Sequence, residues 1–164
     1  MGQIKHSLLA EGTDAGLLGG TTVAVWFLIR DLLGGHPLAT PSILGQVLVL
    51  GQKTPVVEPL DFAGIVLYTG VHFIAFVLLG LLAAWLVRLS AREPVFRFAL
   101  FVLFVTFEVA FYVLINTVSL EVSTMFPLWS VGCANLLAAA VMGYYFWRKY
   151  PELKQALSEE PLGA

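Results

Sequence analysis

Four long apolar runs constrain this chain more than anything else in it: roughly Ala15 to Leu33, Phe62 to Val87, Val95 to Val118 and Leu128 to Trp147. Each has the length of helix, about 20 residues, that crosses a hydrocarbon core about 30 Å thick. The expected fold is all-α: an integral membrane four-helix bundle of four transmembrane helices, one transmembrane domain over residues 1–164 with a short cytoplasmic tail from 148 to 164.

The rest of the composition agrees. Hydrophobic residues make up 59% of the chain and charged residues 12%, with a mean hydropathy of +0.86. A water-soluble domain of this length could not cover that much apolar surface, because small folds keep a large share of their residues at the boundary. The net charge of −2 and the scattering of single basic residues exclude a nucleic-acid footprint. The bilayer is the expected environment, and a bacterial inner (cytoplasmic) membrane the expected location.

Local signals fix the ends of the runs. Thr13 or Asp14 is the expected N-cap of the first helix and "GGHP" its stop. Asp61 precedes the second, Pro94 the third and Pro127 the fourth, at positions where a missing N–H costs nothing. Orientation follows from Lys and Arg. With the amino terminus inside, Lys5, Arg88, Arg92, Arg97, Arg148, Lys149 and Lys154 gather on the cytoplasmic side, against Arg30 and Lys53 outside, seven to two. The positive-inside bias therefore puts both termini in the cytoplasm. The connection from Gly34 to Leu60 is long and holds "TPSILGQVLVLG", an apolar body too short to cross. A short interfacial or re-entrant helix, lidding the bundle from outside, is expected there.

Function can be sought only in the polar residues that the runs enclose. His72 and Glu108 fall at similar depths in the second and third runs, and Asn135 about a turn nearer the outside in the fourth. Tyr68 precedes His72 by one helical turn, while Tyr112 and Asn116 follow Glu108 at i+4 and i+8, so each helix carries a polar stripe. A charge at the bilayer centre costs at least about 2.5–3.5 kcal/mol, so these groups should turn inward and find partners. Facing stripes would form one buried cluster, with Asn135 or His72 as the partner of Glu108. Two readings stay open for it: hydrogen bonds that fix helix register, or a site for protons, an ion, or the head group of a quinone or lipid.

Two further groups stand out. Gly16 and Gly20, extended by Ala24, make a small-residue stripe that lets another helix approach closely. The second run, with Gly64, Gly70, Ala75, Gly80 and Ala84, is the expected partner. At the outer end of the first run lie Arg30, Asp31 and His36. Arg30 and Asp31 point about 100° apart on a helix and do not pair with each other; Arg30 is expected to snorkel, and Asp31 to cap or bind the outer loop.

Catalytic patterns are missing: no P-loop, GxSxG, HExxH or GxGxxG occurs. The lone Cys133 excludes a disulfide framework and a CxxC pair. One Glu, one His and one Asn are too few ligands for a closed zinc or di-iron site. Neither metal nor cofactor is expected, and no enzymatic activity. The leading expectation is a small non-enzymatic subunit or accessory component, packed against other membrane subunits or against itself. The alternatives are a transporter or proton- or ion-conducting protein using His72 and Glu108, and a redox subunit binding quinone or haem, although a bis-histidine haem lacks a second His at the depth of His72.

Overall fold

The computed structural model describes residues 7–90, 95–118 and 125–150, with side chains throughout except at 95–97, 100, 101, 114–116 and 118. Among the described residues the chain is all helix, without a strand. Helix α1 is Leu8–Leu33, α2 is Ala39–Leu44 and runs directly into a π-helical turn at Gly45–Val49, α3 is Phe62–Ser90, α4 is Val95–Val118, and α5 is Leu128–Lys149. Three of these, α1, α3 and α5, are long and apolar enough to cross a membrane. The 24-residue α4 contains a further apolar stretch over Val102–Val113.

The apolar runs give the helix limits closely, with one correction. Helix α1 starts at Leu8 and not near residue 15; Ser7 is its N-cap, its Oγ accepting from the Ala10 N–H at 3.5 Å. Thr13 and Asp14 lie inside the helix. The charges of its first two turns, Glu11 and Asp14, are tolerated because Arg88, Tyr150 and Tyr145 supply them with partners. Helices α3 and α5 run to Ser90 and Lys149, slightly beyond the expected ends, carrying Arg88, Arg148 and Lys149 in their last turns, where cations complement the helix dipole. At the start of α3 the Asp61 carboxylate accepts from the Gly64 N–H at 2.9 Å.

Helix α1 packs chiefly on α3 and next on α5, whereas α4 leans on α3 and touches α5 only lightly. The α1–α3 seam is made by glycine. A Cβ added at Gly12 would lie 2.6 Å from Leu81 Cα, one at Gly16 2.6 Å from Val77 Cα, and one at Gly80 2.8 Å from Gly16 Cα. The two backbones are thus in direct contact. Between lipid-exposed helices there is no hydrophobic driving force, so such close van der Waals packing is a main source of attraction. Gly20 continues the seam against Phe73, but Ala24 does not: it is exposed, at the rim of a small cavity.

Three buried clusters follow the axis of the bundle. With the α2 end of the bundle labelled outer and the end where α1 begins labelled inner, Val47, Ile43, Leu44 and Phe126 form the outer one, Val23, Phe76, Ala134 and Ala138 the middle one, and Ala15, Ala84, Val87, Met142 and Phe146 the inner one. The outward faces remain apolar, with Leu17, Val66, Ile74, Leu78 and Val109 among the exposed side chains. Exposed apolar side chains on this scale are unusual for a soluble monomer and agree with three helices long and apolar enough to cross a membrane.

Candidate functional site

The polar stripes do not meet in one cluster. His72 faces α1, its Nε2 lying 3.0 Å from the Gly20 carbonyl oxygen, to which it donates. Its ring packs on Tyr68 at 5.8 Å and on Phe76 at 4.8 Å. Glu108 faces the other way and is hydrogen-bonded to Asn135 of α5. Phe76, which packs on His72, also packs on Phe107, their ring centroids 5.9 Å apart. The glycine seam explains the separation. Gly80, Phe76 and His72 share one stripe of α3, and the close contact at Gly80 turns that whole stripe toward α1. Tyr112 is exposed on α4. The side chain of Asn116 lies outside the described residues.

Asn135 is only 7% exposed and lines an elongated cavity of about 400 Å³ between α3, α4 and α5. Its amide binds the Glu108 carboxyl on one side; Oε1 of that carboxyl is buried and has no hydrogen-bond partner among the described residues. A second, smaller cavity of about 200 Å³ lies between α1, α2 and α3, and Tyr68, His72 and Asp31 contribute to its wall.

The outer end is a polar lid. Arg30 donates from Nη1 to Ser130 Oγ at 2.7 Å, Trp26 donates its indole N–H to the same oxygen at 3.2 Å, and the guanidinium stands 5.5 Å over the Trp129 ring. Asp31 turns away and takes both the Thr40 N–H, at 2.8 Å, and the Thr40 hydroxyl, at 2.7 Å. The carboxylate thereby caps α2 from a distance, a favourable place for negative charge. His36 Nδ1 is 2.9 Å from Glu58 Oε1, and both side chains are exposed. Gln46 holds the loop beneath. With 1% of its surface exposed, it donates to Val56 O at 2.9 Å and accepts from Val56 N at 2.8 Å. Ser42 accepts from the Asp61 N–H at 2.9 Å and pins the end of the same loop. Neither Gln46 nor Ser42 stands out in the sequence; each is one polar letter in a short apolar helix.

The inner end carries a knot that local reading also misses. Glu11 is 2% exposed; Arg88 donates to it from Nη2 at 2.9 Å, and the Tyr150 hydroxyl donates to the same Oε2. Arg88 Nε also donates to the Tyr150 oxygen at 2.9 Å, closing a triangle between the start of α1, the end of α3 and the residue after α5. Tyr145 donates to Asp14 at 3.1 Å. Burial first, and then the bond to the Glu11 carboxylate, pushes the Tyr150 phenol above its ordinary range, against an opposing pull from Arg88. The only sequence signal was a pair of acids three residues apart, and so on one helix face.

Among the described residues no three His, Cys, Asp or Glu side chains gather into a metal-binding group, and Cys133 is a free, half-buried thiol. Among the described residues the polar contacts gather at three levels: the lid, the Glu108–Asn135 pair and the inner knot. No protein-family model, curated protein or solved structure matches the chain, so these residues carry the functional argument alone.

Proposed function

We propose that this chain is a four-span integral membrane protein of a bacterial inner membrane, with both ends cytoplasmic and α2 lying at the outer interface, and that it acts as a non-enzymatic subunit. Its partners are other membrane subunits or further copies of itself. One observation carries the reading. Among the described residues, α4 is the long helix least packed against the others, and its exposed face presents Val102, Val105, Val109 and Tyr112. That spacing of three, four and three is the heptad seam along which helices pair. Short β-branched side chains there have little rotamer freedom to lose on docking.

The proton-path alternative gains less support from the geometry, since His72 is bonded to a backbone carbonyl and Glu108 to Asn135. The test is disulfide cross-linking in native membranes, with Val105→Cys in a Cys133→Ser background and native mass spectrometry in mild detergent. A cross-linked species of twice the chain mass identifies self-association, and one of another mass identifies a different subunit. Monomer alone, in both experiments, refutes the proposal.

A further inference from the structure

The cavity between α3, α4 and α5 has the shape and chemistry of a binding slot, and its occupant does not depend on what docks against α4. Its length follows from its walls. Asn135 lies toward one end and Phe146 and Trp147 at the other; eleven residues of α5 separate Asn135 from Phe146, or about 16 Å at 1.5 Å per residue. Trp147 sits where interfacial tryptophans sit, in the last turn before Arg148 and Lys149. The slot therefore runs from the membrane interior to the inner interface. Its wall is aliphatic and aromatic, with Phe76, Phe104, Phe107 and Met142 along it; Asn135 is the polar side chain at the interior end, and the Trp147 indole is the other hydrogen-bonding group, at the far end. A volume of about 400 Å³ is within the range of small-molecule sites.

The position of Asn135 selects the ligand class. A plain acyl chain would fill the apolar wall but give the amide nothing. An amide offers both donor and acceptor; this one is held on one side by Glu108 and itself lines the slot. A buried polar group of this kind favours a ligand that brings a hydrogen bond with it. We infer that the slot binds an elongated lipid-soluble molecule with an uncharged carbonyl or hydroxyl head and an apolar tail, head at Asn135 and tail toward Trp147.

The structure also supplies a plug. Gly143 lines the slot, and a Cβ added there meets nothing within 4 Å. Gly143→Leu should therefore fill the space while leaving helix packing intact.

The experiment is equilibrium binding of two tritiated probes to the full chain in dodecyl maltoside: a 1,4-benzoquinone with a ten-carbon chain, and decylbenzene, which lacks the carbonyls. Wild type should bind the quinone saturably and more tightly than decylbenzene. Asn135→Leu should weaken quinone binding by about twofold to tenfold, the worth of one hydrogen bond, and leave decylbenzene unchanged. Gly143→Leu, with wild-type helical circular dichroism, should lose both. Absence of saturable binding, or binding unchanged by Gly143→Leu, overturns the site. Equal affinity of the two probes for wild type overturns the assignment of the head group, and this comparison decides the matter even if Asn135→Leu does not fold.

Discussion

Replacing Gly80 by alanine tests the backbone contact on which the arrangement of the bundle rests. The new Cβ would fall against the Gly12 carbonyl oxygen and 2.8 Å from Gly16 Cα. Carbon atoms pack best at about 3.5–4.0 Å, so α1 and α3 would have to part by about 0.7–1.2 Å. A gap of that order gives up a quarter to a half of the dispersion energy at each contact it opens. Overpacking of this kind costs about 1–3 kcal/mol, while the higher helix propensity of Ala returns up to about 1 kcal/mol. The net expectation is a loss of about 1–2 kcal/mol. Gly70 is the internal control. It lies on the same helix with nothing within 4 Å of its added Cβ, so Gly70→Ala should be neutral or stabilising by up to about 1 kcal/mol. Both variants can be unfolded with sodium dodecyl sulfate in mixed micelles, followed by tryptophan fluorescence and far-ultraviolet circular dichroism. If Gly80→Ala is as stable as Gly70→Ala, the two backbones are not in contact and the explanation for the orientation of His72 fails with them.

Three other expectations follow from the polar ends. Arg88→Ala, which removes the cation beside a buried carboxylate, should destabilise by about 3 kcal/mol or more, and Glu11→Gln by less, since the amide oxygen still accepts; both are read from the same unfolding titrations. Tyr150 has a raised pKa in the folded state, so its contribution is fully present below the ordinary phenol value of about 10 and lost as pH rises through the folded value. Wild-type stability should fall above pH 10 or so, and Tyr150→Phe should flatten part of that fall in a pH series of thermal melts. Gln46→Leu leaves the Val56 N–H and C=O without their side-chain partner, at a cost of about 1–3 kcal/mol; hydrogen exchange by mass spectrometry should show faster exchange confined to residues 39–61, and a change spread over α3 would refute the local role. For topology, Lys53→Cys in a Cys133→Ser background should react with a membrane-impermeant maleimide from outside intact cells, and protection of that position would reverse the proposed orientation.

The helices were legible because their cause is local. Unbroken apolar runs and prolines at 94 and 127 define α3, α4 and α5, and the outer connection reads as a short helix because "TPSILGQVLVLG" is apolar yet brief. The start of α1 was not legible, since nothing near Glu11 announces Arg88, 77 residues away, or Tyr150, 139 residues away. The polar stripes were half legible. Residue counting gives depth, and depth alone put His72 and Glu108 together; rotation about the helix axis is set by Gly80 against Gly16, a tertiary contact that no spacing within α3 encodes. Glu108 and Asn135 did find each other. Gln46 and Ser42 were invisible because what they hold, the loop backbone at Val56 and Asp61, carries no side-chain signal.

The inner triangle also imposes an order on how the molecule is made. A chain delivered to the membrane amino terminus first inserts Glu11 with α1, but its Arg88 arrives only at the end of α3 and its Tyr150 only once α5 has emerged. The glycine seam can close as soon as two helices are present, whereas the inner end closes only with the last. A nascent chain stopped before α5 thus holds an acidic residue whose full set of partners does not yet exist. Such an intermediate differs from the finished protein by an acidic side chain that has yet to meet the Tyr150 hydroxyl.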